Sequence, residues 1–158
     1  MVRYKSFRAM LLCFFLLPIV SFAQDSLSKE MQRLNNGKSQ KTFIEQFAQQ
    51  AKSRNTAAIL AEMDPSIIKS AGQTNIVQIL ETKVFPFFSP YIKLSNYDQM
   101  TNATLPDGRS GFWHYTYIAS AEESMLPFRI ALIDTSDGLK ILDIVVNECV
   151  KGRHPICK

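Results

Sequence analysis

The sequence predicts an α+β fold, in which N-terminal helices pack on one face of a curved antiparallel sheet, and two observations indicate it. Between residues 40 and 85, apolar residues recur at helical spacing. Between residues 91 and 147 the apolar period changes to two, and short turn sequences divide this stretch into strands. Helices followed by a run of neighbouring strands are typical of an α+β domain with a meander sheet.

Residues 1–23 have the pattern of a secretory signal peptide. Three cations, Arg3, Lys5 and Arg8, precede an apolar run, and Ser21-Phe22-Ala23 places small residues before a cleavage site. The run is too short for a membrane span. We therefore expect an exported protein, periplasmic or secreted, with no membrane anchor after cleavage. The polar residues 24–39 are expected to form a flexible leader.

The charge of the chain argues against two classes of partner. The sequence has 18 Lys and Arg against 14 Asp and Glu, but three of the cations lie in the predicted signal peptide. The mature chain, of about 135 residues, therefore has a net charge of only about +1 and suits a single domain. Neither nucleic acid nor a membrane surface is expected to bind by charge alone.

Three helices are predicted before the sheet. The first runs from Gln40 to near Ser53, on one apolar stripe. The second, Ala57–Met63, is capped by Asn55-Thr56 and stopped by Asp64-Pro65, and Ile67-Ile68 then forms an apolar plug. The third runs from about Thr74 to Phe85, where Pro86 ends it.

Four strands are predicted after the helices. A loop with turn chemistry, residues 102–110, separates the first two, and Glu122-Glu123 and Asp137-Gly138 are expected to be two-residue hairpin turns. The predicted strands are Tyr91–Met100, Phe112–Ala121, Met125–Asp134 and Leu139–Asn147.

This order of elements resembles the nuclear transport factor 2-like superfamily, also called the cystatin-like or polyketide-cyclase-like α+β cone fold. The helix Thr42–Lys52, the stretch Asn55–Pro65 (NTAAILAEMDP) and the strands from Tyr91 to Asn147 carry the resemblance, over roughly residues 42–147. It implies a cone-like domain, which we place at residues 40–148. Members include isomerases, dehydratases, cyclases, transport adaptors and secretion-system scaffolds, so the resemblance implies fold more than function. Sheet-to-sheet dimers are common in this superfamily, and a homodimer through one sheet face is expected.

The two assumed turns set a register for the strands. They pair Trp113 with Leu132, Tyr115 with Ile130, and Tyr117 with Phe128. Since both faces are then apolar, we expect both to lose water, one under the helices and the other under a partner or the chain's own tail.

The aromatic face is the candidate binding site, because rings offer apolar surface and their polar tips orient a ligand. Residues that could line a mouth between the third helix and the sheet are Met63, Phe85, Phe87, Phe88 and Tyr91. The favoured alternative is that the segment PFFSPY, residues 86–91, is a hydrophobic hinge that closes the core. Ordinary packing is favoured over a pocket for such an aromatic stripe. The candidate ligand-binding residues are Trp113, Tyr115, Tyr117, Phe128, Phe88 and Tyr91.

Two groups of residues are candidates for catalysis. Asp143, paired with Tyr115 or Tyr117, could remove a proton if burial raised the pKa of its carboxyl group. His114 has no orienting acid on its face in the assumed register, and it is interpreted as an edge or interface residue.

Two cysteines remain once Cys13 leaves with the signal peptide. In an oxidising compartment Cys149 and Cys157 are expected to form a disulfide that closes the tail, residues 149–158. A metal site with His154 would have only three ligands and would lack paired zinc spacing, so no metal is expected. No cofactor is expected either, since the phosphate-binding and dinucleotide motifs are missing from the sequence.

The function predicted from the sequence is that of an exported, non-catalytic module that binds a small apolar ligand or a protein partner. One alternative is an isomerase, dehydratase or cyclase that uses Asp143. The other is a component of an envelope secretion or conjugation assembly.

Overall fold

The structure is a computed structural model that describes residues 39–104, 108–120 and 124–156. The predicted signal peptide, nearly all of the leader, the Glu122-Glu123 turn and Cys157 lie outside the described residues. Within them, helices precede a four-stranded antiparallel sheet of order β1-β2-β3-β4, which confirms the predicted α+β class. The helices are α1 (39–52), α2 (Thr56–Glu62), α3 (Pro65–Ala71), α4 (Gln73–Ile79), a π-helical turn (Leu80–Val84) and α5 (Phe85–Phe88). The strands are β1 (Tyr91–Thr104), β2 (Ser110–Ser120), β3 (Met125–Thr135) and β4 (Gly138–Val146).

The expected apolar plug at Ile67-Ile68 is instead part of a helix, α3. Asp64 is the N-cap of α3, because its side chain accepts a hydrogen bond from the Ser66 N–H, and Pro65 occupies the first helical turn. Proline is well suited to that position, where its missing N–H costs nothing. The Asp-Pro step that ends α2 therefore also begins α3.

The third predicted helix continues past Pro86, which was expected to end it. The Phe85 N–H donates to the Leu80 carbonyl, five residues back, so the helix widens into a π-turn before the proline. Pro86 itself has no N–H to donate, and α5 follows directly. Burial of Phe87 and Phe88, which are 5% and 0% exposed, offsets the cost of this irregular helix.

The helices pack on one face of the sheet, here called the inner face and defined by Ile118, Phe128, Ile130, Leu132 and Ile141. An edge-to-face contact between Phe88 and Phe128, with ring centroids 5.2 Å apart, joins the helices to the sheet, and a similar contact at 5.4 Å between Phe47 and Phe88 joins α1 to α5. The core therefore lies between the helices and this face.

The predicted register between β2 and β3 is wrong by one residue. Phe112 pairs with Leu132 and Trp113 with Ala131, and Tyr115 faces Arg129 rather than Ile130. The cause is the length of the turn: the Ser120 N–H donates to the Ser124 carbonyl, so three residues, not two, separate the ends of the strands. A shift of one residue moves every β3 side chain to the other face.

The predicted register between β3 and β4 is also wrong. The strands close at Thr135 and Gly138, and a register shift beside Leu132 makes room for Leu142 as an extra residue in β4. After this bulge Asp143 pairs with Ala131, so Asp143 shares the face of Trp113, Tyr115 and Tyr117 as predicted. We call this second face the outer face.

Gly111 is required by the close approach of β2 to β3 and β4. A Cβ atom at this position would lie 2.4 Å from the Leu132 carbonyl oxygen and 3.2 Å from Cδ1 of Leu142. Only a residue without a side chain fits there, and the tight contact fixes the pairing at this end of the sheet.

Candidate functional site

The described part of the C-terminal tail, residues 149–156, covers part of the outer face. His154 is 1% exposed, and its ring lies 5.6 Å from the Tyr115 ring and 5.2 Å from the Tyr117 ring. Its Nδ1 accepts from the Val150 N–H at 3.0 Å, and its Nε2 lies 3.2 Å from the Phe128 carbonyl. The His154 ring therefore occupies the space that a ligand in contact with the Tyr115 and Tyr117 rings would need.

Tyrosine hydroxyls bind the backbone of the tail on either side of His154. The Tyr97 hydroxyl donates to the Arg153 carbonyl, and the Ile156 N–H donates to the Tyr117 oxygen at 3.2 Å. Burial is the main reason that the pKa of Tyr97 is raised, with the nearby Tyr117 contributing. Tyr115 and Tyr117 are left 7% and 1% exposed, so this part of the outer face is filled rather than open.

The structure divides the predicted aromatic site between the two faces, which corrects the single face expected from the sequence. Trp113, Tyr115 and Tyr117 lie on the outer face, whereas Phe128 belongs to the inner face. The helical core includes two further candidates, Phe88 and Tyr91.

Asp143 does not meet Tyr115 or Tyr117 in a common cavity. Its cross-strand partner is Ala131, whereas Tyr115 pairs with Arg129 and is covered by the tail. The Asp143 side chain is exposed and accepts from the Ile144 N–H at 2.8 Å. It lies at a small apolar groove of about 140 Å³ between β4 and the helices, whose other lining residues are Met63, Ile67, Ala71, Ile76, Ile79, Leu80, Val84, Leu142 and Ile144.

His114 has an acid partner that the assumed register did not supply. Its Nδ1 lies 2.8 Å from an Asp98 carboxylate oxygen and its Nε2 lies 3.1 Å from the Gln40 side-chain oxygen. The interpretation of His114 as an edge residue without an acid is therefore wrong, since the residue is 2% exposed and joins α1 to the sheet. An irregularity of β1 between Leu94 and Asp98 sets this pairing, and no residue pattern in the sequence indicates it. Both ring nitrogens are occupied, so no position on the imidazole is open to a substrate.

An ion pair between the buried Asp64 and the half-exposed Arg109 ties the helices to the start of β2. Arg109 donates to both carboxylate oxygens of Asp64, at 2.8 Å and 3.1 Å, and also to the Ser66 hydroxyl. These hydrogen bonds from Arg109 hold the pKa of Asp64 well below its ordinary value, although burial of the carboxylate opposes them. The Asp64 side chain is 3% exposed, and the pair is a structural clamp.

An open cleft lies where the helical run meets the ends of β3 and β4. Its volume is about 570 Å³. The sequence offered Phe87 as one lining residue of a mouth between the helix and the sheet, beside the favoured interpretation as a hinge, and Phe87 lines this cleft. The other lining residues were not predicted. We call it the Phe87 cleft, and its lining residues are Thr82, Lys83, Pro86, Phe87, Pro90, Leu126, Val146 and Asn147.

Three further observations concern binding and location. No three His, Cys, Asp or Glu side chains among the described residues are grouped as a metal site would require. Among the same residues, no helix has the length and apolar character needed to cross a membrane. Cys149 is described and Cys157 is not, so the disulfide stays a prediction.

Comparisons with protein-family models, with curated proteins and with solved structures found no match for this chain. The resemblance to the nuclear transport factor 2-like superfamily therefore stays a prediction that depends on the order of helices and strands. The proposed function therefore depends on the geometry of the Phe87 cleft.

Proposed function

We propose that the chain is an exported, non-catalytic binding module that holds a small molecule with an apolar body in the Phe87 cleft. The observation that carries the proposal is the cleft itself. Its volume of about 570 Å³ is within the range of small-molecule sites, and apolar side chains dominate its lining. Export rests on the signal-peptide pattern of residues 1–23.

The floor of the Phe87 cleft is preformed. The Phe87 ring lies 5.0 Å from the Phe88 ring and 6.1 Å from the Phe128 ring, so the core fixes its position. Pro86 and Pro90 restrict the backbone on both sides of it. A ligand would therefore lose little free energy to ordering of the site.

The side chains of the cleft favour binding over catalysis. Among the residues that the structure describes, those lining the cleft include no carboxylate, imidazole or thiol that could act as a general base or nucleophile. The Thr82 hydroxyl is already donating to the Gln78 carbonyl at 2.7 Å. The alternative of an isomerase, dehydratase or cyclase is weakened further, because Asp143 does not share a cavity with Tyr115 or Tyr117.

A single tryptophan substitution tests the location of the site. Thr82 is exposed at the lining, so the indole of Thr82→Trp should fill the cleft and prevent a small molecule from co-purifying with the protein. Native mass spectrometry of protein isolated from the cell envelope of its source organism measures this. Gln78→Trp is the matched control, because Gln78 is exposed one turn earlier on the same helical run and does not line the cleft. Equal retention of the molecule by both variants would place the site elsewhere.

The same spectra test the alternative of an envelope assembly. A co-purified protein subunit, in the absence of any small molecule, would favour the assembly role over the proposed one. The wild-type protein should instead show a mass increment that denaturation removes and that Thr82→Trp lacks.

A further inference from the structure

We infer that the ligand of the Phe87 cleft is an amphipathic monoanion, with an apolar body and a single carboxylate placed at Lys83. The inference rests on the proposed function and adds the chemical class of the ligand. Three features of the cleft support it: the π-turn, the charge of Lys83, and the separation of polar from apolar lining.

The π-turn brings Lys83 to the cleft. Leu80 and Val84, at the two ends of this turn, are 2% and 1% exposed and belong to the core, whereas Thr82 and Lys83 between them are exposed at the cleft. A π-turn adds a residue to the helical repeat and so changes the direction of the side chains that follow it. Such turns occur frequently at functional sites.

Lys83 is the charged residue of the cleft lining, and its ammonium group makes no ion pair with any other residue that the structure describes. The arginines of the same domain differ, since Arg54, Arg109 and Arg129 each pair with a carboxylate. A cation without an acid beside an apolar floor attracts an anionic group and repels a cationic one. One positive charge balances a carboxylate better than the larger charge of a phosphate.

The hydrogen-bonding groups of the lining also suit a carboxylate. The Asn147 side-chain amide can donate, as can the Lys83 ammonium, whereas the Thr82 hydroxyl already uses its proton. Asn147 has φ of 59°, a left-handed backbone conformation that asparagine adopts more readily than most residues, directly after β4. Hydrogen-bond donors therefore lie at the rim of the Phe87 cleft, whereas the floor of the cleft is apolar.

The apolar body of the ligand would lie against Phe87, Leu126 and Val146. Each methylene group that leaves water in such a site raises affinity roughly three- to fourfold. An alkyl chain therefore gives a graded test of the floor, and its head group gives an independent test of the rim.

The experiment is isothermal titration calorimetry of the mature protein, below micelle-forming concentrations, with decanoate, decanol and decylammonium. Decanoate should bind most tightly and octanoate more weakly, by the factor expected for two methylene groups. Lys83→Gln should weaken decanoate binding about tenfold and leave decanol binding unchanged, since only the charge-assisted contact is lost. Lys69→Gln is the matched control, because Lys69 is an exposed lysine of α3 outside the cleft.

The possible results separate the two proposals. If none of the four compounds binds, the inference fails, and the mass spectra of the wild-type protein and Thr82→Trp decide separately whether the proposed function stands. If decanol or decylammonium binds as tightly as decanoate, or if Lys83→Gln and Lys69→Gln have the same effect, the monoanion class is overturned while the proposed function stands. Decanoate binding that survives Thr82→Trp would show that the compound occupies another site, which also overturns the inference.

Discussion

Asp64 connects three parts of the molecule through one residue. Its carboxylate caps α3 and accepts two hydrogen bonds from the Arg109 guanidinium, and its backbone N–H donates to the Ile141 carbonyl of β4 at 2.9 Å. Met63 forms a parallel bridge to the same residue of β4. A buried carboxylate with this many partners is strongly destabilising when it loses one of them.

Asp64→Asn should change how stability depends on pH. Because the pKa of Asp64 is lower in the folded protein than in the unfolded chain, the clamp contributes stability above about pH 4 and loses it as the pH falls through the folded pKa. The variant should be less stable by about 2–4 kcal/mol at pH 7 and show a flatter decline in acid. Urea unfolding between about pH 2 and pH 7 measures both effects.

Asp134→Asn is the control for this prediction, because Asp134 is exposed in β3 and makes no ion pair with another described residue. It should keep the wild-type dependence on pH. A wild-type acid decline in Asp64→Asn would show that other carboxylates dominate acid unfolding.

At the scale of elements, apolar periodicity was sufficient to predict where α1, α2 and the four strands lie, to within a few residues. It was not sufficient to predict α3, because Asp64-Pro65 stops one helix and starts another with the same two residues. The register of β2 and β3 was missed because three residues, not two, lie between Ser120 and Ser124. The register of β3 and β4 was missed because the bulge at Leu142 depends on packing, which apolar periodicity does not indicate. The Phe87 cleft was not the favoured interpretation of the sequence, which offered Phe87 for a mouth only beside a core-closing hinge, and the other lining residues come together only by tertiary contact.

The buried His154 ring is one of the groups that attach the tail to the sheet. His154→Ala should lower the free energy of unfolding by about 2–4 kcal/mol, because it removes a buried ring and leaves the Val150 N–H without its acceptor. Thermal and urea unfolding would measure the loss.

Arg153→Ala is the matched control for His154→Ala. Its backbone carbonyl, which alanine retains, accepts the Tyr97 hydroxyl, and its side chain is exposed. The control should therefore remain near wild type, and an equal loss in both variants would contradict the role given to His154.

At the scale of the whole molecule, other segments of the same chain cover both faces of the sheet. The helices cover the inner face and the tail covers the tyrosines of the outer face. The homodimer expected from the sequence stays a prediction, and we expect the tail to compete for the outer face if the dimer uses it.

Removal of residues 149–158 should therefore promote association. The shortened chain uncovers Tyr115 and Tyr117, and a newly exposed aromatic patch favours self-association. Sedimentation velocity at micromolar concentrations should show a larger dimer fraction for the shortened chain than for the intact mature chain. Equal dimer fractions in the two chains would mean that the tail does not compete.

Trp113 is an intrinsic fluorescence probe for the position of the tail. The Arg129 guanidinium lies over its ring, 4.6 Å from the centroid, and the same guanidinium pairs at 3.0 Å with Glu148, where the tail begins. Because this is the chain's only tryptophan, its emission comes from the one indole whose surroundings change when the tail lifts. Detachment of the tail can thus be followed by intrinsic fluorescence, without a label and separately from global unfolding.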